Sequence, residues 1–240
     1  MRHRFIFVLT GAGLSAESGL GTFRDQDGLW AKFNIDEVAS RAGYEKNPSK
    51  VLDFYNMRRA NMQGAAPNAA HAALAKLQIE WQARGGRVFL CTQNIDGLLE
   101  IAGAADVVHM HGEIAKSRCD ACGDIALADG DILVAMGCPA CGRGNCLRPH
   151  IVWFGEQPLF MEAIQDALER TDLFASIGTS GAVYPAAGFV DFMHALDVPR
   201  IEINLAPSDN GAMFSDARYG PASEQVPLWV EEFLAGQGQP

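Results

Sequence analysis

The chain has 240 residues, of which 48% are hydrophobic and 20% charged, and its formal net charge at pH 7 is -10. Such a length can bury a sizeable core and fits one domain with a smaller appendage. The acidic balance argues against nucleic acid or an anionic membrane as a partner, because both require a basic patch. The apolar start at 5–9 is too short for a signal peptide, and no run approaches the ~18 apolar residues of a membrane span. We therefore expect a cytoplasmic protein.

Short apolar runs alternate with helical patterns along the chain. The predicted strands are, in order, 5–9, 88–91, 107–108, 150–154, 173–177 and 201–203. The predicted helices are one beginning at Ser49 and three covering 69–77, 158–168 and 186–196. This alternation predicts a parallel, doubly wound sheet. Two segments break the rhythm: 25–62, which has no evident strand, and 116–148, which is dominated by Gly and Cys.

A glycine-rich turn follows the first predicted strand, with the sequence Gly11-Ala-Gly-Leu-Ser-Ala-Glu-Ser-Gly19. Glycine lets the backbone approach a pyrophosphate, and the N–H groups at the start of a following helix favour an anion. A dinucleotide site is one interpretation. A buried turn without a ligand is the other, and the pattern Gly11-x-Gly13-x-x-Ala16 does not separate them.

The other predicted strands are also followed by polar residues. Because the carboxyl ends of parallel strands lie along one edge of a sheet, these residues should converge on a shared crevice. They are Thr10 and Gly11, the segments 92–96, 109–113 and 178–180, and Asn204. One such turn would be ordinary loop chemistry, but five together indicate a polar active site.

Four of the six cysteines have the spacing of a zinc ribbon. They are Cys119, Cys122, Cys138 and Cys141. Two Cys-x-x-Cys knuckles about fifteen residues apart present four thiolates to one metal ion, whereas two disulfides or free thiols are the alternative. A site closed by four ligands has no open position, so the metal is expected to be structural and not to touch substrate. Cys91 and Cys146 stand outside the pattern, as a buried small side chain and a spare thiol.

These motifs together resemble one family, the sirtuins, which are NAD-dependent protein lysine deacylases. The resemblance spans nearly the whole chain and is carried by the glycine turn, Thr22-Phe-Arg24, Thr92-Gln-Asn-Ile-Asp96, His111-Gly-Glu113, the four cysteines, Val152-Trp-Phe-Gly-Glu156, Gly178-Thr-Ser180 and Ile203-Asn204. The chain looks most like the short microbial sirtuins that consist of little beyond a catalytic core. Gly21 departs from the family, which commonly carries proline or a larger residue before the Phe-Arg pair.

The resemblance implies an α/β fold, with a doubly wound parallel-sheet, Rossmann-like NAD-binding domain and a smaller zinc-ribbon and helical domain. The first comprises 1–30, 64–114 and 149–240, and the second 31–63 and 115–148. It also implies the reaction. The acyl-lysine amide oxygen attacks the ribose carbon that bears nicotinamide, nicotinamide leaves, and the acyl group passes to ADP-ribose. NAD is consumed as a co-substrate, and one structural zinc ion is expected per chain.

Catalytic roles follow from the same resemblance. His111 matches the histidine that takes a proton from a ribose hydroxyl, and an ordinary imidazole pKa near ~6.5 leaves it mostly neutral at pH 7. From the residues alone, His109 is an equal choice, and a histidine bonded to the backbone is the structural alternative. Asp96 would hold the nicotinamide carboxamide and Asn94 would order water or a ribose hydroxyl, with loop capping as their alternative. His71 is interpreted as structural.

Further positions match those that contact NAD or the acylated peptide. The NAD contacts are Gly11, Ala12, Gly13, Glu17, Phe23, Arg24, Gln93, Asn94, Ile95, Asp96, Gly178, Thr179, Ser180 and Asn204. The peptide is expected between 152–156 and 181–184, with Val152, Phe154, Gly155 and Val183 as contacts. Apolar residues at such positions are also ordinary core residues. Main-chain pairing gives affinity with little sequence preference, so broad substrate choice is expected.

Tyr55 and Arg58 bear on the choice of acyl group. Their spacing of three puts both side chains on one face of a helix. They resemble the Tyr-x-x-Arg pair of sirtuins that remove succinyl and malonyl groups as well as acetyl, since a phenol and a guanidinium fork can together bind a carboxylate. A core tyrosine beside a solvated arginine is the structural alternative.

Two other functions stay open at this point. Mono-ADP-ribosyl transfer to protein would use the same cleavage of NAD with a different acceptor. A zinc-ribbon binding module without enzymatic activity would need neither the polar strand ends nor His111.

Overall fold

The structure is a computed structural model that describes residues 4–22 and 33–236. Its strands are β1 (Phe5–Thr10), β2 (Arg87–Thr92), β3 (Val108–His109), β4 (Gly112–Cys119), β5 (Ile125–Leu127), β6 (Leu147–Ile151), β7 (Leu173–Ile177), β8 (Arg200–Asn204) and β9 (Asp216–Tyr219). Its helices are α1 (Ile35–Val38), α2 (Arg41–Lys46), α3 (Pro48–Gln63), α4 (Ala69–Ala83), α5 (Leu98–Ile101), α6 (Met161–Leu168), α7 (Phe189–Ala195) and α8 (Ala222–Ala235). Phe23 and Arg24, which are predicted to contact NAD, lie outside the described residues.

The larger sheet is parallel throughout and has the strand order β3-β2-β1-β7-β8-β9. Ile6 and Val8 of β1 face a core that contains residues of α4 and α8, whereas Phe7 and Leu9 face a core that contains residues of α6 and α7. A strand covered on both faces needs apolar side chains at every position, which explains the continuous apolar run. The predicted doubly wound parallel sheet is confirmed.

The glycine turn after β1 folds as two short 3-10 helices, Ala12–Leu14 and Ala16–Ser18, where the start of a regular helix was expected. Glycine and serine have low helix propensity, and serine competes for backbone hydrogen bonds. Gly19 ends the second turn with a φ of 83°, a left-handed conformation that favours glycine.

A second, three-stranded antiparallel sheet has the order β5-β4-β6. The prediction that 150–154 forms a strand of the parallel sheet is therefore wrong. Strand β6 pairs with β4 at the edge of this sheet, in a register that joins Leu147 to Cys119, and it ends at Ile151. Because β6 follows the cysteine-rich segment directly, it pairs antiparallel with the strand that leads into that segment. Val152 and Trp153 lie beyond the strand end.

The helix predictions are confirmed in position and differ at the ends. Helix α3 begins where Asn47 caps Lys50 and Pro48 takes the first position, which agrees with a start at Ser49. Helix α6 begins only at Met161, and a 3-10 turn at Ala186–Gly188 precedes α7. Helix α8 and strand β9 were not predicted. Within 4–22 and 33–236, no helix is long and apolar enough to cross a membrane.

Candidate active site

Polar residues at the ends of neighbouring parallel strands meet at one edge of the larger sheet. Thr10, at the end of β1, donates its hydroxyl to that of Thr92, at the end of β2, over 2.8 Å. On the other side of β1, the N–H of Gly11 donates to the carbonyl of Ile177 in β7 over 2.9 Å. The predicted convergence of the strand ends is confirmed.

Three glycines bring two loops into backbone contact at this edge. The N–H of Gly13 donates to the Gly178 carbonyl over 2.8 Å. A Cβ at Gly11 would lie 2.7 Å from the Gly178 carbonyl oxygen, and a Cβ at Gly13 would lie 2.7 Å from the Gly178 Cα. Gly178 itself has a φ of 63°. Loop packing alone therefore requires these glycines, so an assignment to NAD depends on the side chains around them.

Ser15 lies at the centre of a buried hydrogen-bond network. Its Oγ donates to Asp96 Oδ2 over 3.0 Å and accepts from Asn94 Nδ2 over 3.1 Å. Asn94 Nδ2 also donates to the Gly11 carbonyl over 3.0 Å, and Asp96 Oδ1 accepts from the Leu98 N–H over 3.1 Å. The network fixes both predicted catalytic side chains. The sequence places Ser15 in the glycine turn, but nothing in it indicates that Ser15 connects Asn94 to Asp96.

His71 completes this network from α4. Its Nδ1 accepts from the backbone N–H of Asn68 over 3.2 Å, as part of the capping box of the helix. The neutral ring therefore carries its proton on Nε2, which lies 3.2 Å from Ser15 Oγ and donates to it. Burial lowers the pKa of His71. Its structural interpretation is confirmed, although the ring also supports the site through Ser15.

His111, in the turn that joins β3 to β4, has the properties of a general base. Its Nδ1 lies 3.1 Å from the carbonyl oxygen of Gln93. Because a carbonyl only accepts, Nδ1 holds the proton of the neutral ring and Nε2 presents a lone pair. Burial lowers the pKa of His111 below its ordinary 6.5, and the Gln93 carbonyl opposes this shift only in part. The imidazole is consequently neutral at pH 7.

His109 is held quite differently. Its Nε2 lies 2.7 Å from a carboxylate oxygen of Glu100 and its Nδ1 lies 3.2 Å from the Asn94 carbonyl. Burial alone would lower the pKa of His109, but the hydrogen bond and charge of Glu100 outweigh it and raise the pKa above the ordinary value. Both ring nitrogens face acceptors, which favours the protonated ring and makes His109 less suited than His111 to act as a base.

The end of β8 forms a polar rim with the loop after β7. Asn204 Nδ2 donates to the Thr179 carbonyl over 2.7 Å. Thr179 Oγ1 is in turn 3.0 Å from Ser176 Oγ. Gly178, Thr179 and Asn204 are therefore adjacent, as their shared assignment to NAD requires, and Ser180 follows in the same loop.

Two other predicted NAD contacts have internal partners. The Glu17 carboxylate accepts from the N–H and the hydroxyl of Ser223 over 2.8 and 2.7 Å, in the first turn of α8. It therefore fixes the glycine turn against that helix. The carbonyl of Ile95 accepts from the N–H of Ile114 over 2.9 Å, which ties the loop after β2 to β4.

The four predicted zinc ligands form one cluster, with their Sγ atoms within 4.8 Å of one another. Cys119 and Cys141 are 3.9 Å apart, and Cys122 and Cys138 are 3.8 Å apart. A tetrahedral zinc ion with Zn–S bonds of about 2.3 Å requires S···S separations of about 3.8 Å, so the thiolates fit one zinc ion. All six cysteines are free in this structure, and these S···S separations are those of shared metal ligands and not of a disulfide bond.

Cys146 lies beside this cluster without being part of it. Its Sγ is 3.3 Å from Cys119 Sγ and donates to the Arg143 carbonyl over 2.9 Å. Its carbonyl, just before β6, accepts from the N–H of Asp120 over 2.8 Å. The sulfur is buried, in agreement with its interpretation as a spare thiol.

Tyr55 and Arg58 share one side of α3. Tyr55 is 1% exposed, and burial raises the pKa of its phenol to about 12, so it stays protonated at neutral pH. Arg58 is half-buried; burial lowers its pKa, whereas Tyr55 and Asp96 oppose the shift. Arg58 is therefore within electrostatic reach of Asp96. It is not the solvated arginine of the structural alternative, although Tyr55 packs in the core as that alternative expects.

The neighbouring face of α3 is anchored to the cysteine-bearing part of the chain. Arg59 is buried; its Nε donates to the Ile114 carbonyl over 2.9 Å, and its Nη1 donates to Asn56 Oδ1 over 2.9 Å and to the Gly130 carbonyl over 3.1 Å. The Asn56 amide bonds both the carbonyl and the N–H of Ile132, each over 3.0 Å.

The predicted peptide contacts lie on two loops. The N–H of Val152 donates to the His111 carbonyl over 2.9 Å, which ties the first loop to the predicted base. The side chain of Phe154 is exposed, and Gly155 has a φ of 86°. Val183, on the second loop, lines a small cavity together with Gln93.

Family models, curated proteins and solved structures each include matches to this chain. The model described as the Sir2 family matches residues 11–185. An NAD-dependent protein deacylase of Caulobacter vibrioides is 57% identical over 230 residues, which span 96% of this chain and 97% of that protein. One from Vibrio vulnificus is 51% identical over 235 residues, spanning 97% and 95%.

Solved structures agree with this result. A Sir2 homolog in complex with NAD superposes with a TM-score of 0.87 at 33% identity, covering 99% of this chain and 91% of that one. A Sir2 bound to acetylated peptide gives a TM-score of 0.79 at 25% identity, covering 99% and 95%. The chain belongs to the Sir2 family. NAD-dependent protein deacylation is its enzyme class, and the relatives that define this class match it over nearly their full length.

Proposed function

We propose that the NAD-dependent deacylation performed by this chain acts on protein lysines that carry acetyl, malonyl or succinyl groups, and yields nicotinamide and O-acyl-ADP-ribose. The observation that carries the choice of acyl group is the pairing of Tyr55 with Arg58 on one side of α3. A protonated phenol and a guanidinium fork are donors that can bind a carboxylate together. The electrostatic reach of Arg58 to Asp96 favours a position of this pair beside the catalytic network.

His111 acts as the general base. The Gln93 carbonyl keeps its proton on Nδ1, so that Nε2 accepts the proton of a ribose hydroxyl. NAD supplies, when bound, the ribose carbon whose bond to nicotinamide is broken. Burial favours the neutral ring and thereby keeps the base active at neutral pH.

Asn94 and Asp96 bind at the nicotinamide end of the co-substrate. Both hydrogens of the Asn94 amide are directed at the Gly11 carbonyl and Ser15 Oγ, which leaves Oδ1 to accept from water or a ribose hydroxyl. Asp96 holds the carboxamide. Ser15 orients both side chains, and its rigid position pre-organises the site.

The remaining assignments follow the resemblance. For NAD they are Gly11, Ala12, Gly13, Phe23, Arg24, Gln93, Ile95, Gly178, Thr179, Ser180 and Asn204, with Glu17 acting by holding the turn against α8. For the peptide they are Val152, Phe154, Gly155 and Val183. Zinc, bound by Cys119, Cys122, Cys138 and Cys141, stabilises the smaller sheet and takes no part in the chemistry.

We also propose a cytoplasmic location with acylated proteins as the partners. Six free cysteines suit a reducing compartment. A net charge of -10 disfavours direct binding of nucleic acid or of an anionic membrane surface.

The acyl assignment is tested with Arg58→Met, which keeps an unbranched side chain and removes the guanidinium charge. With matched peptides, the ratio of succinyl to acetyl kcat/KM should fall by about 10-fold or more, because a charge-assisted hydrogen bond is worth about 1.5–3 kcal/mol. Arg170→Met, at an exposed position on the surface, is the control and should leave the ratio unchanged. Equal losses for both peptides in Arg58→Met would reject the carboxylate role.

A further inference from the structure

We propose that Trp153 is a positioning residue for acyl selection: its indole N–H fixes the phenol of Tyr55 in the orientation that receives a carboxylate. This inference rests on the proposed function of Tyr55 and Arg58. Trp153 itself does not touch the acyl group in this proposal and acts through the tyrosine.

The contact between the two side chains is direct and buried. Trp153 Nε1 donates to the phenol oxygen of Tyr55 over 3.1 Å. Tyr55 is 1% exposed and Trp153 is 2% exposed, so water does not replace the contact. Indole nitrogen only donates, and its N–H therefore engages a lone pair of the phenol oxygen. The phenol proton then remains for an acceptor in the acyl pocket.

Trp153 is itself rigidly held. The Arg148 guanidinium carbon lies 3.8 Å from the centroid of the indole ring, and the Tyr44 ring centroid lies 5.1 Å from it. Glu156 connects Arg148 to the backbone of Trp153, because its carboxylate accepts from Arg148 Nη2 over 2.8 Å and from the Trp153 N–H over 3.0 Å. An indole held in this way has one orientation for its N–H.

The charges around the indole leave Arg58 as the cation of the pocket. Arg148 is fully buried against Glu156 and Asp120, whose Oδ1 lies 3.3 Å from Arg148 Nε, and both carboxylates also pair with Arg118. A carboxylate in the acyl pocket would therefore be attracted to Arg58 and not to Arg148. Tyr55 adds a hydrogen bond next to that charge, and Trp153 orients the phenol O–H that donates it.

In this proposal, Trp153 also connects the binding of the acyl group to the binding of the peptide backbone. It lies between Val152, whose N–H bonds the His111 carbonyl, and Phe154, whose N–H bonds the Ala39 carbonyl. The same loop is proposed to bind the peptide backbone. One residue thus sets the phenol relative to the peptide, and its loss should act mainly on KM of peptides with an acidic acyl group.

Trp153→Phe tests the proposal, because it keeps an aromatic ring under Arg148 and removes the N–H donor together with part of the indole. We expect the succinyl-to-acetyl ratio of kcat/KM to fall about 5- to 10-fold, which corresponds to one hydrogen bond, with most of the loss in the succinyl KM. If Trp153 only supports the fold, kcat/KM should fall equally for both peptides. That result would overturn the proposal.

Tyr55→Phe and the double variant separate this inference from the function beneath it. If Trp153 acts through Tyr55, the double variant should have the same ratio as Tyr55→Phe alone. Multiplied ratio losses in the double variant would overturn the positioning role while the Tyr-x-x-Arg assignment stands. If Tyr55→Phe itself left the ratio unchanged, the proposed role of Tyr55 would fail, and the inference with it.

A measurement on the unaltered protein does not depend on how Trp153→Phe folds. Tyr55→Phe removes the acceptor, so the indole N–H resonance that moves most between the two ¹⁵N spectra identifies Trp153. In the wild type, this resonance should shift when a succinyl-lysine peptide is added and much less with the acetyl peptide. Identical shifts with both peptides would overturn the proposal.

Discussion

The proton on His111 is placed by a single backbone contact. The Gln93 carbonyl selects Nδ1–H, so the opposite nitrogen is basic, and burial keeps the ring neutral. His109 lies two residues earlier and has the opposite character, because Glu100 favours its charged form. The sequence alone leaves these two histidines equal. Their difference comes from residues that only the fold brings next to them.

The pKa of His111 predicts the acid side of the pH profile. Because burial lowers it, the decline of kcat/KM for an acetyl-lysine peptide on the acid side should be centred below the ordinary 6.5. A decline centred above 6.5 would contradict a lowered pKa.

His111→Ala should reduce kcat by about 100-fold or more while zinc content and Tm are kept.

His109 makes an independent prediction about stability. Its raised pKa contributes stability that is fully present below the unfolded value of about 6.5 and is lost as pH rises through the folded value. Glu100→Gln should therefore lower Tm more at about pH 6 than at about pH 9. A Tm difference that is independent of pH would show that His109 is not charged in the folded state.

At the level of elements, the zinc cluster makes a prediction about which sulfurs are ligands. Cys146→Ser should retain about one zinc ion per chain, because Cys146 is outside the four-ligand set despite its contact with Cys119. Cys138→Ser should lose the metal and the ordered smaller sheet, since the ion replaces a core there. Zinc content and near-UV CD measure both effects. Loss of zinc in Cys146→Ser would make it a ligand.

Helix α3 is fixed through Asn56 to the segment that follows β5. Asn56→Ala would leave the N–H and carbonyl of Ile132 without their partner, at a cost of about 1–3 kcal/mol in the free energy of unfolding. Urea denaturation measures this cost. The exposed Asn61→Ala on the same helix is the control and should change stability by less than about 0.5 kcal/mol. Similar values for the two variants would show that the Asn56 contacts are weak.

Strands were predictable where burial on both faces imposes an apolar run, as in β1 and β7. Elsewhere an apolar pattern has another cause. The run at 150–154 is apolar because Trp153 packs against α3 and α2, not because it is a central strand. Strand β9 is a largely exposed edge, and Pro227 interrupts the helical pattern of α8. Strand β9 therefore lacks the apolar signal of burial, whereas α8 carries one in Val226, Trp229, Val230, Phe233 and Leu234 that the sequence reading missed.

At the scale of the whole molecule, the residue types of the site could be predicted from the sequence, but the hydrogen bonds between them could not. Polar residues after parallel strands and four spaced cysteines indicate the crevice and the metal from local sequence. The role of Ser15, and the bond from Trp153 to Tyr55, join positions far apart in the chain. Such pairs depend on the tertiary arrangement, so no local pattern reveals them.

The most direct test of the whole account is the stoichiometry of the reaction. The unaltered protein is incubated with NAD and matched acetyl-, malonyl- and succinyl-lysine peptides, and nicotinamide and free-lysine peptide are quantified together. We expect one nicotinamide for each acyl group removed, with all three peptides as substrates and O-acyl-ADP-ribose as the second product. Nicotinamide release that leaves the peptides acylated, with ADP-ribose attached to protein, would contradict the account.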